Sequence, residues 1–101
     1  MIDISEKQLQ IILNILGEFV PDCEIRVFGS RYQGTARKYS DLDIAIVGKE
    51  KINWKILAEI KDAFEESDLP YPVDVLDWNA ITPAFRNAIE ERGFEILRGK
   101  T

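Results

Sequence analysis

A chain of 101 residues with a net charge of −5 has room for one hydrophobic core, so a single domain over 1–101 is expected, and its acid excess argues against tracking a long nucleic acid. Its 46% hydrophobic and 31% charged residues exclude a disordered tail, and no stretch approaches the roughly eighteen apolar residues that span a bilayer; the start Met1-Ile2-Asp3 lacks a signal peptide's basic opening, so a cytoplasmic protein is expected. With no histidine and only Cys23, an internal disulfide and a soft zinc site are excluded, and any metal must be hard and oxygen-bound.

In chain order, Ser5-Glu6-Lys7-Gln8 has capping-box spacing, with Ile4 and Leu9 placed as a hydrophobic staple. Leu9, Ile12, Ile15, Leu16 and Phe19 follow at helical spacing until Pro21 ends the helix. Glu24 to Phe28 alternates, with Ile25 and Val27 on one face, and reads as a strand running into Gly29. A loop and a short helix come next. In Leu42 to Val47, the strongest strand, Leu42, Ile44 and Ile46 point one way and Asp41, Asp43 and Ala45 the other. Ile52, Ile56, Leu57, Ile60 and Phe64 mark one face of an amphipathic helix. Pro72 to Asp77 reads as a third strand with its proline at the start. Thr82-Pro83 opens a last helix that Gly93 closes, and Phe94 to Leu97 adds a short edge strand. The order αβαβαβα(β) predicts one α/β (α+β) unit, a small mixed sheet of three to four strands flanked by helices.

Three features carry chemistry. Val27-Phe28-Gly29-Ser30-Arg31 runs a strand into a glycine, where backbone can approach a ligand closely and the following amides can face an anion. Alone, Gly-Ser is also an ordinary turn. Arg26, Arg31, Arg37 and Lys38 bunch around Gly29 and Gly34, a local charge suited to one compact anion. Asp41 and Asp43, at i and i+2, project from one face of a strand; the pair is either a polar strand entry or a site whose repulsion a divalent cation relieves. Asp74 lies inside the apolar run Pro72 to Leu76, where an unpartnered buried charge costs several kcal/mol. It can bridge to a second metal and accept a proton, in the manner of two-metal sites. Asp77 faces opposite to Asp74 by parity and suits a turn or cap. Trp54, Tyr71 and Trp78 either cap the small core or anchor an interface.

Gly29-Ser30, ten residues, then Asp41-Leu42-Asp43 and an isolated Asp74 in a later strand resemble the nucleotidyltransferase superfamily that includes DNA polymerase β and kanamycin nucleotidyltransferase. The brevity is similar to its minimal bacterial and archaeal members, and the resemblance runs through Val73 to Ile96. It implies the nucleotidyltransferase fold and transfer of a nucleoside monophosphate, AMP from ATP or another NTP, to a hydroxyl with two Mg2+ ions. Gly29, Ser30 and Arg31 would bind the nucleotide. Asp41, Asp43 and Asp74 would be both the catalytic residues and the metal ligands, with Asp74 available as base. Tyr32-Gln33 departs from relatives that carry a second basic residue there; Arg37 and Lys38 are candidates to compensate. The chain has no residues for an acceptor domain, so the acceptor surface must come from a second copy or a partner. The resemblance implies an antitoxin paired with a HEPN-type helical ribonuclease toxin and modifying a toxin tyrosine. A small-molecule, aminoglycoside-like acceptor and a non-catalytic partner-binding antitoxin are the alternatives.

Overall fold

The computed structural model describes residues 3–98. Four helices and four strands alternate: α1 (Glu6–Phe19), β1 (Glu24–Phe28), α2 (Ser30–Gln33), β2 (Leu42–Val47), α3 (Trp54–Glu65), β3 (Val73–Asp77), α4 (Pro83–Arg92) and β4 (Glu95–Arg98). The strands form one mixed sheet in the order β3-β2-β1-β4. β1 runs antiparallel to both β2 and β4, and β2 runs parallel to β3.

Local signals in the sequence set the helix ends. Ser5 Oγ accepts from the Gln8 amide while Gln8 Oε1 accepts from the Ser5 amide, a closed capping box. Asn53 and Thr82 cap α3 and α4 through their side chains, each satisfying a backbone donor that the first turn leaves over. The amphipathic faces then decide the layering. Ile12 and Leu16 of α1 and Ile60 and Phe64 of α3 are buried against Ile25 and Val27 of β1, Leu42, Ile44 and Ile46 of β2, and Val75 of β3. Each such side chain contributes about 1.5–3 kcal/mol from removal of apolar surface from water. This face of the sheet is the core. The opposite face carries Arg26, Phe28, Asp43 and Asp74, and α4 stands near Phe28, with Phe85 meeting that ring edge-on at 6.4 Å.

Asp77 falls on the core side and is buried. It accepts from the Ile52 amide at 2.8 Å and the Asn79 amide at 3.0 Å, so it ties the β2–α3 loop to the end of β3, the turn role that parity predicts. The three uncertain aromatics diverge. Tyr71 is buried; Trp78 lies against the Arg26 guanidinium, which also meets the Phe94 ring and is ion-paired with Glu24; Trp54 remains 73% exposed. Among the described residues, no helix is long and apolar enough to cross a membrane.

Candidate functional site

β1 delivers Phe28 opposite Asp43 in the antiparallel register, and the chain turns at Gly29 with φ 77°. The Gly29 carbonyl accepts from the amides of Tyr32 and Gln33, so this residue caps α2 without a side chain. A Cβ on Gly29 would stand 2.1 Å from Asp43 Oδ2. Both its dihedral and its neighbour therefore require glycine, and the missing side chain lets the carboxylate lie against the turn.

On the other flank of β2, Asp43 pairs directly with Asp74 across the parallel register to β3. Neighbouring residues in register project from the same face of a sheet, so two carboxylates are held side by side. The electrostatics register the crowding. The Asp43 carboxyl is raised from the usual 3.8 to about 6, first by burial, then by the charge of Asp74, then by that of Asp41.

A cavity of about 420 Å³ opens on this face. Gly29, Ser30, Asp43 and Asp74 line it, with Gln33 and Thr35 beside α2 and Phe28, Phe85, Ala88, Ile89, Arg92 and Gly93 forming the remaining wall. A second groove, about 610 Å³, runs between α3 and the edge strand β3. Asp74 borders both spaces.

Two of the expected site residues lie away from the cavity. Asp41 precedes β2, is exposed and does not line the cavity, and among the described residues no three carboxylates converge as a ready-made cage for a metal ion. The structure brings Asp43 and Asp74 together and leaves Asp41 at the rim, near enough for its charge to act on Asp43. Arg31, expected at the nucleotide, is only 4% exposed and turned into the protein. Its guanidinium donates to the carbonyls of Ser40 at 2.9 Å, Lys38 at 3.0 Å and Asp3 at 3.1 Å, and stacks 3.7 Å from the centre of the Tyr71 ring. Backbone carbonyls of a neighbouring loop win over solvent because a buried guanidinium needs acceptors for its fixed fork of donors. Arg31 thus fastens the segment that leads into Asp41.

The expected positive cluster disperses in the same way. Arg26 packs between the rings of Trp78 and Phe94, and Arg37 and Lys38 are exposed and line no part of the cavity. The cation on the cavity wall is Arg92, from α4, which belongs to the stretch Ile89-Glu90-Glu91-Arg92-Gly93 that resembles the family's tail but is given no site role by the sequence.

The donor set fits a divalent cation. It consists of hard carboxylate oxygens, it contains no histidine or thiol, and its like charges add to burial in raising the Asp43 carboxyl. A bound cation would relieve that repulsion.

The sequence model of the polymerase β nucleotidyltransferase family matches residues 23–100. The chain is 44% identical over 90 residues to a probable protein adenylyltransferase, MntA, of Haemophilus influenzae, across 89% of this chain and 79% of that one. The fold is similar to a chain of a crystallised toxin–antitoxin with AMP-PNP, with a TM-score of 0.69 at 23% identity over 91% of this chain and 73% of that chain. It is also similar to a chain in the complex of a tri-AMPylated Shewanella oneidensis HEPN toxin with its MNT antitoxin, with a TM-score of 0.63 at 19% identity over 94% and 72% of the two chains. Nucleotidyltransferases generally use divalent metal, consistent with the oxygen donors gathered here. The chain belongs to the polymerase β nucleotidyltransferase family.

Proposed function

We propose that the protein is an antitoxin that transfers AMP from ATP to a hydroxyl, a tyrosine, on a cognate HEPN-type helical toxin. The observation that carries this reading is the register of Asp43 against Asp74 beside the Gly29 turn, supported by 44% identity to a probable protein adenylyltransferase. The Gly29-Ser30 turn is the seat of the triphosphate. Asp41, Asp43 and Asp74 are the residues that would hold two Mg2+ ions, which would supply neutralisation of the phosphate charge.

The chain's own residues do the rest by placement. Asp74 borders the cavity on one side and the β3–α3 groove on the other. An acceptor hydroxyl arriving along the groove meets that carboxylate, which takes its proton. The oxygen then bonds to the α-phosphorus, and the bond to pyrophosphate breaks. In this reading the acceptor is a residue of another protein.

The test is intact-mass analysis of the helical protein encoded beside this one, after incubation with this protein, ATP and Mg2+. An increment of one or more adenylyl groups, mapped to tyrosine and lost with Asp43→Asn, supports the reading. An unchanged mass together with full neutralisation of the toxin would make the protein a binding antitoxin instead.

A further inference from the structure

We infer that Arg92, at the last turn of α4, is the residue that grips the pyrophosphate end of the nucleotide triphosphate. The inference rests on the nucleotidyltransferase reading of the cavity and adds to it the cation that the sequence motif fails to supply. Four basic residues cluster near the glycine turn, and none lines the cavity: Arg26 is sandwiched between rings, Arg31 is satisfied by backbone carbonyls, and Arg37 and Lys38 stand out on the loop. Arg92 does line it. Its side chain makes no hydrogen bond or ion pair among the described residues, so its five donors are available to a ligand.

Its position is fixed by a second, separate contact. Gly93 adopts φ 95°, and a Cβ there would lie 2.8 Å from the Tyr32 hydroxyl of α2. That close approach clamps the end of α4 onto the helix that begins at Ser30. Arg92 is therefore held on the Ser30 and Gln33 side of the cavity, whereas Phe85, seven residues earlier, meets Phe28. Charge supplies the reason for a cation at this place. A triphosphate beside three aspartates remains in excess of negative charge even with two divalent cations bound, and the excess grows on pyrophosphate as it leaves. A guanidinium matches phosphate oxygens with paired donors. A lysine supplies the charge without the fork.

The test is calorimetric titration of the full chain with AMP-PNP and, separately, with AMP, each with Mg2+, for the wild type, Arg92→Ala, Arg92→Lys and Asp43→Asn, alongside the melting temperature of each unliganded protein. Arg92→Ala is expected to weaken AMP-PNP about tenfold or more, the loss of one charge-assisted phosphate contact. AMP should change by less than about twofold on the same grounds. Arg92→Lys should lie between, and the unliganded melting temperature should stay put because the side chain is exposed and unbonded. Equal weakening of AMP and AMP-PNP would overturn the assignment by showing a general effect on the cavity, and unchanged AMP-PNP affinity would overturn it outright. If instead the wild type binds AMP-PNP no better than Asp43→Asn does, the nucleotide reading of the cavity falls, and the Arg92 inference falls with it.

Discussion

Gly29 and Asp43 occupy space that only one side chain can fill: a methyl group on the glycine would sit 2.1 Å from a carboxylate oxygen of the aspartate. The turn and the acid are thus one unit, built by the antiparallel register that sets Phe28 against Asp43. Gly29→Ala must displace the carboxylate as well as strain a backbone at φ 77°. Gly34 has nearly the same φ, 78°, with nothing near a Cβ, so Gly34→Ala isolates the backbone cost, about 1–2 kcal/mol. Urea denaturation should show Gly29→Ala losing more than Gly34→Ala, and nucleotide binding should fail only in the former. Equal losses would mean that the carboxylate moves aside freely.

The raised Asp43 carboxyl carries a pH signature. Between about 4 and about 6 the folded protein holds a proton there that the unfolded chain releases, so stability falls as pH rises through that window. Chemical denaturation of the metal-free protein should show a negative slope between pH 4 and 6 that Asp43→Asn flattens. Affinity for Mg2+ should move the opposite way and increase as pH rises through about 6, because the cation requires the ionised carboxylate.

Asp74 and Asp77 share a strand and face opposite sides of it. Asp74 is exposed at the cavity, while Asp77 is buried and holds two backbone amides. Asp77→Ala should cost about 2–4 kcal/mol by leaving the half-buried amides of Ile52 and Asn79 unpaired. Asp74→Asn should leave the melting temperature within a degree or two, on the order of a surface change, while abolishing transfer. The two measurements together separate a structural acid from a catalytic one.

Arg31 should behave as part of the scaffold. Arg31→Ala strands the carbonyls of Ser40, Lys38 and Asp3 and removes the stack on Tyr71, a loss of about 2–4 kcal/mol. Thermal melts and nucleotide titrations should show stability falling far more than phosphate affinity in the protein that remains folded. A stable variant with lost affinity would return Arg31 to the phosphates.

What was legible in the sequence was local. Ser5 and Gln8 announce α1, Thr82 and Gly93 bracket α4, and period-two alternation puts Leu42, Ile44 and Ile46 in the core. Parity alone separates Asp74 from Asp77, because a strand has only two faces. What was not legible depends on contacts between distant segments. Arg31 follows the glycine turn as a phosphate ligand would, yet the carbonyls that claim it belong to residues 3, 37, 38 and 40. Arg92 reaches the cavity only because the end of α4 packs on Tyr32, sixty residues away in sequence. Asp41 shares the parity of Asp43 but precedes the first paired residue of β2, so the sheet does not hold it in line.

The central claim, nucleotidyl rather than phosphoryl transfer through these aspartates, is tested most directly by position of label. The protein, Mg2+ and the proposed helical partner should be incubated in parallel with ATP labelled at the α-phosphate and at the γ-phosphate, using the wild type and Asp41→Asn/Asp43→Asn. The account predicts that only the α-label enters the partner, and only with the intact aspartates. Incorporation of the γ-label, or α-label transfer that survives the double substitution, would contradict it.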